Sequence, residues 1–238
     1  MSSQLPILGH LAELRRRFLL ILLLWLGLFL LCAYFAADLY YLVALPLLAE
    51  LPQGGSLVAV DVASPFVAPL KLAAFMSMLL VMPVGFYQLW FFIAPGLYHK
   101  EKRLAMPLLL ATVLFFYVGI TFVYLVVMPI TLGFFYRIAP DSVQIMTDIN
   151  SYLNFVLRLA FAFGAAFEMP LVILVLVKSG LVSIAWLKAN RSYIIVGCFV
   201  VAMLLTPPDV FSQILLAIPL WFLYEGGILL SSMLGGSK

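Results

Sequence analysis

Two short stretches of this chain set one carboxylate among several cations. Glu13 occurs in His10-Leu-Ala-Glu13-Leu-Arg15-Arg16-Arg17, and Glu101 in Leu97-Tyr-His-Lys-Glu101-Lys-Arg103. Each cluster lies within a turn or two of a long apolar run. A fixed carboxylate accepts a guanidinium as a two-pronged fork, so two of them at the mouth of a cavity could hold a pair of arginine side chains. The same spacing allows a purely local ion pair, Glu13 with Arg17 one helical turn on, worth roughly a few tenths of a kcal/mol. Spacing alone leaves both readings open.

A third carboxylate stands in costlier surroundings. Glu168, in Phe163-Gly-Ala-Ala-Phe-Glu168-Met-Pro170, falls about ten residues from the end of an apolar stretch, hence about 15 Å deep if helical. An ionised carboxylate there costs several kcal/mol unless paired or hydrated, so Glu168 is expected to be protonated or hydrogen-bonded. Arg158 is no direct partner, because ten helical residues separate the two by about 80° and about 15 Å. Pro170 frees a backbone carbonyl near Ala166, and Gly164, Ala165 and Ala166 thin the helix. A kink with room beside it, hence a polar cavity, is the expectation. A structural buried acid and a functional one both remain possible, while Glu225, nearer the end of the last stretch, can snorkel to the surface.

These residues are carried by six long apolar stretches, approximately residues 18–36, 69–93, 104–128, 152–177, 193–206 and 211–230. The first four can span a hydrocarbon core of about 30 Å, whereas the fifth, at about 14 residues, reaches only about 21 Å. A composition that is 66% hydrophobic and 10% charged leaves too few polar residues to cover a globule of 238 residues. The expectation is therefore an all-α, polytopic integral membrane protein: one domain over residues 1–238 with six transmembrane helices, the last two short.

Ten of the 13 basic residues (Arg15, Arg16, Arg17, Lys100, Lys102, Arg103, Lys178, Lys188, Arg191 and Lys238) fall in the N-terminal segment, alternate connectors and the tail. That bias puts those segments, and both termini, on the cytoplasmic side. No cleavable signal pattern precedes residue 18. The first outer connector, about residues 37–68, carries Pro46, Pro52, Gly54, Gly55 and Pro65. It is expected to fold as a cap with a short helix near residues 41–50, Pro46 within it. Between the last two stretches, Pro207 and Pro208 stop one helix and Asp209 is placed to cap the next, which makes a tight hairpin.

Several functions are excluded or weakened. Cys32 and Cys198 lie inside apolar stretches without metal or disulfide spacing. No P-loop, His-Glu-x-x-His or Gly-x-Ser-x-Gly occurs, and the two histidines sit at the inner surface, so no catalytic residue, metal or cofactor is expected. A net charge of +3 gives no ground for nucleic acid, and anionic lipid accounts for the basic clusters. A proton-coupled small-solute carrier using Glu168 and Arg158 is an alternative; against it stand the absence of paired repeats and the scarcity of other polar residues in the spans. A membrane-embedded enzyme would need a catalytic cluster that is lacking.

Four motifs, His10-Leu-x-Glu13-Leu-Arg15-x-Arg17, Phe92-Ile-Ala-Pro95-Gly-Leu-Tyr98-x-x-Glu101-x-Arg103, Phe163-Gly164-x-x-Phe167-Glu168-x-Pro170 and Thr206-Pro207-Pro208-Asp209-x-x-Ser212-Gln213, resemble TatC, the core of the bacterial twin-arginine translocase. The resemblance covers essentially the whole chain. It implies a receptor in the bacterial cytoplasmic (inner) membrane that binds signal peptides carrying two arginines and exports folded proteins on the proton-motive force. Single-span TatA and TatB would be its partners, in an oligomeric complex surrounded by lipid. On that likeness Glu13, Arg15, Glu101 and Phe92 would form the signal-peptide surface and Glu168 would meet the single-span partners. The short last helices would be a docking edge, while Arg158 does not match a typical basic position.

Overall fold

Apolar helices dominate the computed structural model, which describes residues 5–50, 56–93, 105–138, 146–206 and 210–234. In chain order these are α1 (Leu5–Tyr34), α2 (Ala36–Glu50), β1 (Ser56–Val58), α3 (Ser64–Ile93), α4 (Ala105–Phe122), α5 (Met128–Ile138), β2 (Met146–Asp148), α6 (Ile149–Phe167), α7 (Met169–Lys178), α8 (Ile184–Ala189), α9 (Arg191–Leu205) and α10 (Val210–Leu234). Five segments are long and apolar enough to cross a membrane: Arg15–Tyr34, Ser64–Trp90, Met106–Ile138, Ile149–Lys178 and Val210–Leu234. With the shorter apolar helix α9 they make an all-α, polytopic membrane protein, whose many exposed leucines, valines and phenylalanines match a lipid solvent rather than water.

The fifth span is short, 15 residues. The sixth is not: α10 runs 25 residues, because the polar Ser231-Ser232 pair does not end it. The Ser232 hydroxyl donates back to the Leu229 carbonyl at 2.7 Å, which satisfies a polar side chain without leaving the helix. The third span continues past residue 128 to Ile138. A five-residue π-helical segment, Val123–Val127, joins α4 to α5, and the Met128 N–H reaches the Val123 carbonyl. Pro129 comes immediately after; with no N–H of its own and a ring that crowds the preceding turn, it favours this wider register.

The chain forms two compact units, Met1–Val43 with Pro65–Ala105, and Ala44–Ser64 with Met106–Lys238. In the first, α1 lies antiparallel to α3. Arg17 meets Gln88 at one end, Trp25 Nε1 donates to the Ala74 carbonyl at 3.2 Å midway, and Cys32 and Ala36 pack on Ala73 at the other end. Both cysteines are buried and unbonded to each other.

In the second unit, α10 packs along α7 and α9. Ile173, Leu187, Tyr224 and Ile228 form one core, and the Tyr224 hydroxyl donates to the Leu187 carbonyl at 2.9 Å. The first outer connector is built on α2, with Pro46 inside the helix beside buried Ala44 and Leu47. It continues into β1, which pairs in parallel with β2, Val58 opposite Asp148. Asp148 caps α6, accepting from the Ser151 backbone N–H at 2.8 Å and the Ser151 hydroxyl at 2.7 Å. These bonds, the hydroxyl foremost, hold its carboxyl below the ordinary carboxylate value. Asn150 donates to the Ser64 hydroxyl at 2.7 Å, tying the start of α6 to the end of the connector within the same unit. The turn residues Pro207, Pro208 and Asp209 lie outside the described residues; α9 ends at Leu205 and α10 begins at Val210.

Candidate functional site

Glu13, Arg15 and Arg17 ride on the first half of α1, a helix that begins at Leu5, well before the apolar run. The local ion pair allowed by the sequence is present: the Arg17 Nε donates to Glu13 Oε1 at 3.1 Å, and its Nη2 pairs with the same oxygen. Arg17 also reaches across to α3, its Nη1 donating to Gln88 Oε1 at 2.8 Å. One guanidinium therefore links the carboxylate of α1 to the amide of α3. Arg17 is largely covered, 15% exposed, whereas Glu13 is 49% exposed. Around them opens a cleft of about 320 Å³, lined by Glu13, Arg16, Arg17, Leu20, Tyr87 and Gln88.

This arrangement joins two features that chemistry asks of a guanidinium site: an exposed carboxylate whose position is fixed by a neighbouring side chain, and an aromatic and apolar wall beside it. Arg15 is exposed on the same helix. Phe92 is in the last turn of α3, only a few residues beyond Gln88. Glu101 lies outside the described residues. Tyr87 and Gln88 join the site without a motif of their own; their signal is a polar pair one turn before the end of an apolar span, where side chains meet headgroup and water.

Glu168 sits in the second unit at the break between α6 and α7. Its N–H is shared between the Ala165 and Ala166 carbonyls, and its own carbonyl accepts from Leu171 at 3.0 Å and Val172 at 2.9 Å. Pro170, in the first turn of α7, lacks the N–H that would continue the ladder, so the expected kink is present. At Gly164 the space is already filled. A Cβ on Gly164 would lie 2.8 Å from the Phe116 ring, and one on Gly119 would lie 2.7 Å from the Phe163 carbonyl. Phe122 packs on Phe163 and Phe167. At Gly119 and Gly164 the missing side chains let α4 approach α6 closely.

The close approach brings Thr112 of α4 to Glu168, and its hydroxyl is hydrogen-bonded to the carboxyl group. The other oxygen, Oε1, is buried without a hydrogen-bond partner. Arg158 is exposed on α6, away from Glu168 as helical geometry required. Glu225 does not simply snorkel: its Oε2 accepts from Arg191 at 2.6 Å, which fastens the start of α9 to α10. Among the described residues, no group of three or more His, Cys, Asp or Glu side chains could hold a metal.

Comparison with known proteins agrees with this architecture. The family described as Sec-independent protein translocase protein (TatC) matches residues 9–219. The chain is 53% identical over 231 residues to the Sec-independent protein translocase protein TatC of Azotobacter chroococcum mcd 1, covering 95% of this chain and 89% of that one. It is 50% identical over 226 residues to the protein of that name from Escherichia coli K12, covering 95% and 88%. A crystal structure of the twin-arginine translocase receptor TatC superposes with a TM-score of 0.84 at 36% identity, covering 94% of this chain and 98% of that one. The protein belongs to the TatC family and is a multi-pass membrane component of the Sec-independent protein translocase.

Proposed function

We propose that this protein is the receptor of a twin-arginine translocase in the bacterial cytoplasmic membrane, and that Glu13, Arg15, Glu101 and Phe92 form its signal-peptide surface. The observation that carries this reading is the cleft at the inner ends of α1 and α3, where the exposed Glu13 is held by Arg17 beside Gln88. The connector bearing Glu101 departs from the end of that same α3. Two carboxylates on one inner face can each accept one guanidinium fork of an arginine pair, and the basic residues around them keep the surface cytoplasmic. The chain acts as a single six-helix domain with both termini inside, in an oligomer with TatA and TatB. It uses the proton-motive force, with no cofactor and no catalysis of its own.

Glu168 is assigned to contact with the single-span partners. An unsatisfied buried carboxyl oxygen is a costly feature, and an incoming polar side chain would relieve it. The family match favours this receptor over a small-solute carrier.

The test is capture of a peptide carrying two adjacent arginines before an apolar stretch. Removing both carboxylates (Glu13→Ala with Glu101→Ala) should weaken capture by about 100-fold or more, since hydrogen bonds to charged groups contribute roughly 1.5–3 kcal/mol each. Exchanging both peptide arginines for lysines should also weaken it, because a point charge cannot reproduce two forks. Parental capture by the double variant would refute the assignment.

A further inference from the structure

The second unit also holds a groove that plays no part in the receptor reading. It measures about 420 Å³ and is lined by Pro129, Ile130, Gly133, Phe134 and Arg137 of α5 with Phe211 of α10. The α5 residues recur at intervals that keep them on one side of the helix, so the groove runs along its axis for about 12 Å from Pro129 to Arg137. Phe134 and Phe211 stack with ring centroids 3.7 Å apart, closing one wall, and Gly133 lines the groove without a side chain.

The groove is polarised along the membrane normal. Its Pro129 end lies inside the span Met106–Ile138, and Arg137 stands in the final turn of that span. Arg137 is exposed and makes no hydrogen bond or ion pair among the described residues. An apolar channel with a cation at its interfacial end is complementary to an amphiphile with an anionic head.

We propose that this groove holds an anionic phospholipid, its acyl chain against Phe134 and Phe211 and its phosphate on the Arg137 guanidinium. A phosphate accepts the planar fork of an arginine in two bonds, and the acyl chain covers aromatic surface that the protein itself leaves open. Placement in the outer leaflet rests on the membrane orientation proposed above; occupancy of the groove does not.

The test uses the full chain, extracted in mild detergent and exchanged into bilayer discs of equal phosphatidylglycerol and phosphatidylethanolamine, with retained lipid counted by native mass spectrometry. The parent should keep phosphatidylglycerol in preference. Arg137→Gln should lower that retention about fivefold, the effect of one basic side chain at a lipid surface, and Arg137→Lys should keep most of it. Lys188→Gln, which removes an exposed cation from α8, should leave it unchanged. Gly133→Leu should displace the lipid with Arg137 still present, and a photoreactive group midway along the acyl chain should label Phe134 or Phe211.

Equal losses from Arg137→Gln and Lys188→Gln would overturn the proposal by reducing it to general charge. Unchanged retention in an Arg137→Gln, Gly133→Leu double variant would overturn it too. So would crosslinking of Phe134 to a protein instead of a lipid, since the occupant would then be a partner helix. Twin-arginine peptide capture, measured on the same preparations, should stay parental in Arg137→Gln, which separates failure of the lipid site from failure of the receptor reading.

Discussion

In the first half of α1, Glu13 is half exposed and already gripped by Arg17, with Gln88 as a third member. In the fourth span, Glu168 has one hydroxyl, Thr112, on its carboxyl group and one oxygen buried without a partner. The two are the same side chain under opposite constraints. Near water a carboxylate is inexpensive to keep and simple to pair locally, so its presence says little until a ligand is shown to compete for it. In an apolar span, an unsatisfied oxygen persists against a desolvation cost, which makes function the default hypothesis there. The difference predicts that Glu13 variants impair recognition, whereas Glu168 variants impair the later, partner-dependent stage of export.

The sharpest way to break that division is Glu168→Ala. Peptide capture should stay within about twofold of the parent, while export and crosslinking to a single-span partner should fall by about tenfold or more. Glu168→Gln keeps a side chain able to bond Thr112 and should retain folding, so any export defect it shows isolates the carboxyl group from packing. Unchanged export in Glu168→Ala would remove the functional reading of this residue.

Packing around the kink gives the next effect in size. Gly119→Ala drives a Cβ to 2.7 Å from a backbone oxygen, which no rotamer change can relieve, so it should destabilise the protein by about 1–3 kcal/mol. Gly197→Ala on α9, where a Cβ meets nothing within 4 Å, should be neutral or slightly stabilising. Thermal unfolding of the two variants in one detergent checks the contrast; equal midpoints would mean that α4 and α6 are not in close contact.

A smaller effect belongs to the outer connector. The folded carboxyl of Asp148 titrates below its ordinary value of 3.8. The cap is therefore fully present above that value and is lost as pH falls through the lower, folded one. Proteolysis of the β1–β2 region should rise with acidification in that window, and Asp148→Ala should abolish the pH dependence. Arg17→Gln removes a local pair worth roughly 0.3–0.5 kcal/mol together with the hydrogen bond to Gln88, worth about 1 kcal/mol. Its stability should fall by no more than about 1.5 kcal/mol, and by releasing Glu13 it should not weaken peptide capture more than Glu13→Ala does.

Much of the architecture was legible in the sequence because lipid imposes a simple code. Long apolar runs had to become helices, and the shortness of α9 came directly from its residue count. The length of α10 did not: the apolar stretch stops near residue 230, while the helix runs on to Leu234, the Ser232 hydroxyl bonding its own helix. The kink at Glu168 was readable from Pro170, but the space beside it was not. Phe116 fills that space from another helix, and nothing in the local sequence announces a neighbour. Thr112, Tyr87 and Gln88 escaped for the same reason, their roles being set by the helix opposite. The β1–β2 pair is three residues a side, too short for periodicity.

A binding cycle between receptor and peptide probes the guanidinium site at its root. Capture is measured for parent and Glu13→Ala, each with the twin-arginine peptide and with the lysine-substituted one. If Glu13 accepts an arginine fork, the two changes should be strongly non-additive, with a coupling of about 1 kcal/mol or more. Strict additivity would mean that Glu13 serves only its own Arg17, and the receptor surface would have to be sought elsewhere on the chain.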